Sequence, residues 1–332
     1  MIIIGAGVSG SYLASLLDQE GSEYEAYDFA EVRGCTCAWG THYSLLKERL
    51  SKVGLNADDY ILSRCRTLIF GGVRIKLLNS VMIDKPKLID DLLPSSKVVR
   101  KKVSLHQLQE DIVVNATAEP AVLDKQLLTV QHKVLAGNLE PNTSYIHVDR
   151  RYVGYAWCFP LDDEGKYFHL GAGCLDERPT PLLEGMKERY KIIVKQELCS
   201  CDRAINLVSP SKISADASKF ISIGEAGGYV FPLTGEGIIP SMDSAEILLQ
   251  SMQACGSREE VALSYKAKSL AYFRKEKYGE AHNILERMKK GKAFSWASAV
   301  KHLFVRSKNR SMPVLSFATK LKVLVSLGRP TC

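Results

Sequence analysis

Three glycines open the chain at a spacing that suits a phosphate. In MIIIGAGVSGSYLASLLDQEGSEYEAYD, Gly5-x-Gly7-x-x-Gly10 follows the apolar run Ile2–Ile4, and Tyr12, Leu13, Leu16 and Leu17 then recur at helical spacing. Gly5 permits a tight turn, Gly7 lets the backbone approach a pyrophosphate, and Gly10 lets the helix pack on the strand. The helix start offers free N–H groups and a positive dipole end to the phosphates. A second strand, Tyr24–Tyr27, ends at Asp28, eighteen residues past Gly10, where an acid can accept from ribose hydroxyls. An acid rather than an arginine argues against a 2′-phosphate, which leaves NAD or FAD. The plain alternative is a glycine-rich helix start with no ligand; the flanking strand, helix, second strand and acid favour the ligand.

A second glycine loop lies far along the chain, in FISIGEAGGYVFPLTGEGIIPSMDSAE. Phe220–Ile223 reads as a strand, Gly224-Glu225-Ala226 closes it, and a loop from Pro232 through Gly235 to Gly237 precedes a helix that starts near Ile238. Such a helix start aims a positive dipole end at its ligand, which would stabilise negative charge on a reduced cofactor ring. The segment resembles the C-terminal flavin motif of the para-hydroxybenzoate hydroxylase-like FAD superfamily, with Glu225 where that family usually has Asp. The resemblance implies non-covalent FAD. Glu225 would stand on the ribityl chain, and Gly224, Pro232, Gly235, Gly237 and Ile238 around the isoalloxazine. Between the two loops, Ile112–Ala118 (IVVNATA) stands where related flavoproteins carry Ala-Asp-Gly. Asn115 and Thr117 are expected to bind backbone there, and Ala118 to touch the cofactor.

A dense aromatic stretch follows at RRYVGYAWCFPLDDEGKYFHLGAG. In two-residue alternation Tyr155, Trp157 and Phe159 share one strand face, either to fill a sheet core or to wall an apolar pocket. Tyr155-Ala156-Trp157-Cys158-Phe159-Pro160 resembles the Tyr-x-Trp-x-Phe-Pro signature of the geranylgeranyl reductase family, flavoproteins that saturate isoprenoid double bonds. Met82-Ile83-Asp84-Lys85 with Leu88-Ile89-Asp90 and Leu93 resembles that family's Asp-Arg, Phe-Asp, Leu segment, with Lys85 in place of Arg. Arg33-Gly34-Cys35-x-Cys37 resembles its cysteine region beside the flavin. The likeness runs from Met1 to about residue 250.

It implies hydride delivery to one alkene carbon and protonation of the other. Tyr155, Trp157, Phe159 and Pro160 would form the substrate pocket, Arg33 would contact the cofactor, and Cys35 or Cys37 would be the catalytic candidates. Buried thiols that merely pack are the alternative for both cysteines. His42 is weighed in the same way, and a structural role is favoured. The implied partners are a prenyl lipid or isoprenoid substrate and an external reductant, whether NADPH, NADH or ferredoxin. The chain has no second GxGxxG for a stably bound nicotinamide. Two other readings of the same loops stay open: an aromatic hydroxylase and a non-catalytic electron carrier.

These residues must be positioned by a chain of 332 residues, 46% hydrophobic and 24% charged, which is globular in character and large enough for more than one lobe. The expected class is α/β, or α+β overall. It comprises a discontinuous Rossmann-like FAD-binding lobe (1–56, 95–122 and 205–255), an inserted antiparallel sheet lobe for substrate (57–94 and 123–204) and a helical basic C-terminal region (256–332). Strands are expected at 67–77, 126–134, 144–148, 152–160 and 167–174, and a helix at 181–198. Nine cysteines with no leader pattern favour a reducing, cytoplasmic location, and no Cys-x-x-Cys spacing points to a metal.

The net charge of +7 is unevenly placed. Eleven Lys or Arg and no acid follow from Arg287, which leaves 33 basic and 37 acidic residues before it, a net of −4. General nucleic-acid binding is therefore not expected. Phe294, Ala297, Val300, Leu303 and Phe304, and later Leu315, Ala318, Leu321 and Leu324, fall at helical spacing among basic residues. Residues 287–332 are thus expected to rest peripherally on the inner face of an anionic membrane, or else to pack on the core with a solvated basic face.

Overall fold

The computed structural model describes residues 1–30, 38–104, 112–120, 123–175, 177–212, 220–291, 298–299 and 322–323. Ile2–Ile4 (β1) runs directly into the first glycine loop and Val8–Gln19 (α1). It pairs in parallel with Glu25–Asp28 (β2) on one side and Val113–Asn115 (β7) on the other. Val98–Arg100 (β6) and Ile221–Ser222 (β13) complete a five-stranded parallel sheet in the order β13-β7-β1-β2-β6. A strand buried on both faces needs an unbroken apolar run, which Ile2–Ile4 provides.

Helix α1 contacts both Lys85–Leu92 (α3) and Ile238–Ala254 (α5). Leu13, Leu17, Leu88, Leu92 and Met242 share one core. Tyr43–Ser51 (α2) is tied to α5 by a buried ion pair: Arg49 Nε and Nη2 donate to Asp243 Oδ1 at 2.9 and 2.8 Å. Tyr12 of α1 joins them, donating to Glu246 Oε1 at 2.9 Å. Three helices are thereby held in register behind the two glycine loops.

The second sheet has eight strands. They are Gly40–His42 (β3), Ile61–Phe70 (β4), Val73–Ile83 (β5), Lys125–Gly137 (β8), Thr143–His147 (β9), Gly154–Pro160 (β10), Tyr167–Leu175 (β11) and Ile193–Leu207 (β12). Their order is β12-β8-β11-β10-β9-β4-β5-β3, with every pairing antiparallel except that of β4 with β9. Thr180–Tyr190 (α4) covers one face and buries Leu182, Leu183 and Met186 against Val134, Phe168 and Leu170. Arg258–Lys275 (α6) opens with a capping box between Ser257 and Glu260, and Tyr278–Lys289 (α7) follows it.

The architecture is the discontinuous α/β lobe with an inserted, largely antiparallel sheet that the sequence implied. Several elements differ in detail. The stretch 67–77 is a hairpin rather than one strand. Gly71 and Gly72 both have positive φ (58° and 84°), which suits the tight two-residue turn between β4 and β5. The stretch 181–198 is helical only to Tyr190. Lys191 is left-handed, and the chain then enters β12, which pairs along all of β8. Ladder bonding over that length outweighs the modest helical signal of the segment. Strand β3 is an edge of the large sheet, while α3 packs with α1, so each lobe borrows a short segment from the other's stretch of sequence. Among the described residues no helix is long and apolar enough to cross a membrane, and no group of three or more His, Cys, Asp or Glu is placed to hold a metal.

Candidate functional site

The first glycine loop is built by close contact. Gly5 has φ +102°, and a Cβ there would lie 2.5 Å from the backbone of Ala116. A Cβ on Gly10 would fall 1.9 Å from the Gly5 carbonyl oxygen. By contrast, nothing lies within 4 Å of where a Gly7 Cβ would point. Gly7 is the N-cap of α1 and makes no side-chain cap, so the first N–H groups of the helix are left for a ligand. Asp28, at the end of β2, holds this loop in place. Its Oδ2 accepts from Ala6 N at 2.8 Å and its Oδ1 from Ala30 N at 2.9 Å. Each carboxylate oxygen keeps a second lone pair for a sugar hydroxyl. Phe29, 63% exposed, follows beside Lys102.

The second loop converges on the same space. Gly224 N donates to Ser244 Oγ at 2.9 Å, which fixes the turn to α5. Glu225 is half-buried; its Oε1 accepts from Asn206 N at 2.9 Å and its Oε2 from Arg203 Nη2 at 3.3 Å. Burial pushes the Glu225 carboxyl up, and Arg203 pulls the other way. Gly237 is the N-cap of α5, again without a side-chain cap, and Pro240 in the first turn has no N–H. Two uncapped helix starts thus face one cleft, which suits an anionic cofactor running from one to the other.

That cleft has a volume of about 1130 Å³ and lies between the two sheets. Gly5, Gly7, Asp28, Ala118, Glu225, Pro232, Gly235, Gly237 and Ile238 all line it. Gly10 and Gly224 stand one layer behind, packed on Gly5 and on Ser9. Arg33, Cys35 and Cys37 lie outside the described residues. His42 is the N-cap of α2, its Nδ1 accepting from Leu45 N at 3.4 Å, and burial lowers its pKa. That is a structural task.

The opposite wall is the large sheet. Tyr155 and Phe159 line the cleft, and the Tyr155 hydroxyl donates to Thr234 O in the second loop. Trp157 shares their face, with ring centroids 5.6 Å from Tyr155 and 6.4 Å from Phe159, yet it is not part of the wall. It is only 5% exposed and sinks onto Gly171, where a Cβ would come within 2.6 Å of its ring, and its Nε1 donates to Gln131 Oε1 at 3.2 Å. The sequence reading had placed it in the pocket. The glycine opposite lets the indole drop behind Tyr155 and Phe159 instead. Pro160 is buried at the end of β10, paired with Phe168.

Sequence reasoning had not placed Arg203 or Ser144 in the cleft, and both line it. Lys85, buried and also lining the cleft, had its signal in the Asp84-Lys85 motif. Of the C-terminal region, Leu285 and Met288 of α7 line the cleft, as does Ala299, while Val323 is fully buried against Leu68, Phe70 and Ile146. The rest of the two expected amphipathic helices lies outside the described residues.

No family model matches the chain. The uncharacterised protein MJ1182 of Methanocaldococcus jannaschii is 30% identical, over 83% of this chain and 89% of that one. Among solved structures, a geranylgeranyl bacteriochlorophyll reductase-like protein from Thermoplasma acidophilum superposes with a TM-score of 0.71 at 13% identity, over 98% of this chain and 95% of that one. HpxO of Klebsiella pneumoniae, solved in complex with FAD, gives 0.66 at 14% identity over 90% and 93% of the two chains. A probable FAD-dependent monooxygenase from Pseudomonas aeruginosa gives 0.63 at 15% identity over 90% and 98%. The chain therefore belongs to the family of MJ1182 and has the fold shared by geranylgeranyl reductase-like proteins and FAD-dependent monooxygenases.

Proposed function

We propose that this protein binds FAD non-covalently along the two glycine loops and reduces carbon–carbon double bonds of a prenyl chain lying against the large sheet. One observation carries the substrate half of this reading. The wall that faces the two helix starts is built of Leu68, Phe70, Leu77, Met82, Ile146 and Phe159. Such a surface offers chiefly shape and apolar area, which is what an isoprenoid chain can use.

The residues present fit the cofactor. Gly7 leaves open backbone where a pyrophosphate can approach, Asp28 can accept from a ribose, and Glu225 with Arg203 and Asn206 offers a fixed polar edge for a ribityl chain. When reduced, FAD supplies a hydride equivalent, which must be replenished by an external donor such as NADPH, NADH or ferredoxin. The protein's own contribution is to hold the chain, exclude water and keep α5 aimed at the cofactor through the Arg49–Asp243 pair. An aromatic hydroxylase is the second reading, favoured by the hydroxyls of Ser80, Ser144 and Tyr155 in the cleft wall, which could bind a phenol.

The cofactor half is tested by reconstitution. Purified protein is expected to be yellow or to take up FAD from solution. Asp28→Ala should weaken that binding by about 1.5–3 kcal/mol, the worth of charge-assisted hydrogen bonds, and Asp28→Asn by less. A colourless protein that FAD does not titrate rules the proposal out.

A further inference from the structure

Within the apolar wall one polar group is left over. Ser144 lies on β9 in alternation with Ile146 and Val148, and all three line the cleft. The residue is 2% exposed, and among the described residues its Oγ has no hydrogen-bond partner. Ser80 also lines the cleft, from β5, directly across from Cys65 of β4. The Cys65 thiol lies beside both hydroxyls, yet it gives Ser144 Oγ no hydrogen bond of ordinary length and angle. A thiol is in any case a weak partner. Buried hydroxyls are normally satisfied by protein or ordered water, and one that is not stands as a cost to the fold. An orphan at this position, in the wall of a substrate-sized cleft and next to a second serine, is explained if the ligand itself completes the bond.

We propose that Ser144, with Ser80 beside it, forms a hydrogen-bonding notch for a neutral oxygen of the substrate, a hydroxyl or a carbonyl attached to the prenyl chain. This rests on the prenyl reading above and narrows it: the substrate is an oxygen-bearing isoprenoid rather than a bare polyene. A neutral oxygen is specified because the cleft cations sit elsewhere. Arg203 is engaged with Glu225, Lys85 acts on the same carboxylate, and Lys101 and Lys102 follow β6 at the Asp28 end.

The test compares two probes, geranylgeraniol and the corresponding hydrocarbon without the hydroxyl, by quenching of tryptophan fluorescence in the FAD-loaded protein. Wild type is expected to bind the alcohol roughly two- to twelve-fold more tightly, the range of one net hydrogen bond. Ser144→Ala should erase that preference and leave hydrocarbon affinity as it was. A second measurement reads the orphan directly: without ligand, Ser144→Ala should unfold at the same temperature as wild type or higher. A lower melting temperature would mean that the hydroxyl is satisfied inside the protein, and the notch would fall. An alcohol preference that survives in Ser144→Ala overturns it too, as does equal binding of both probes by wild type, with the prenyl reading left standing. If wild type binds neither probe, the prenyl reading fails and takes the notch with it.

Discussion

Gly10→Ala is expected to cripple both folding and FAD binding. The added methyl would fall 1.9 Å from the Gly5 carbonyl oxygen and 3.1 Å from the Ala116 Cβ. The first of these is backbone, so no change of rotamer can relieve the contact. Either α1 must lift off β1 or the loop must open, and each alters the surface that meets a pyrophosphate. Overpacking usually costs about 1–3 kcal/mol; with a backbone atom as the obstacle we expect about 3 kcal/mol or more. Gly7→Ala is the control. Its methyl would point into open space, so the apo protein should melt within a degree or two of wild type while FAD binding is obstructed. Thermal unfolding of the apo proteins with FAD titration separates the two effects. A Gly10→Ala protein as stable as wild type would contradict this account of the loop.

Trp157→Ala should be the most damaging substitution in the large sheet. It empties the space between Cys65, Leu68, Ile146 and Gly171, and it deprives Gln131 of its hydrogen bond. Removal of a buried Trp typically costs about 3–5 kcal/mol, and the unpaired Gln131 adds to it. The loss should appear as a drop in thermal stability, with residual folded protein still binding FAD. Phe159→Ala removes a wall residue that is not fully buried, so stability should fall less and ligand affinity more. The reverse ranking, with Trp157→Ala stable but unable to bind ligand, would put the indole in the wall after all.

The glycine loops were legible because each glycine answers a geometric demand that no other residue meets, and such demands leave fixed spacings in sequence. Asp28 was readable for the same reason, as the acid that closes β2. Strand β3 and helix α3 cross between lobes through contacts that no local pattern records. The 181–198 segment was misread because β12 owes its existence to thirteen-residue β8, a partner more than fifty positions upstream. Trp157 shows the limit most clearly. Alternation correctly put it on one face with Tyr155 and Phe159, but depth within that face is set by Gly171 on the neighbouring strand. Ser144 carried no motif at all. Its interest comes from the lack of a partner among the described residues, which appears only once the strands are assembled.

On the proposed function, reduced flavin in this protein passes its electrons to a prenyl double bond. This claim is tested most directly by a single turnover without oxygen. Protein loaded with FAD is reduced by one equivalent of dithionite and mixed anaerobically with geranylgeraniol in deuterated water. The oxidised flavin spectrum is expected to return, together with a matching amount of product that has gained two solvent deuteriums across a double bond, because dithionite supplies electrons only and both hydrogens are drawn from the water. If the flavin instead stays reduced with every prenyl compound, and turns over only when oxygen and a phenol are supplied, the protein is a hydroxylase and the claim is wrong.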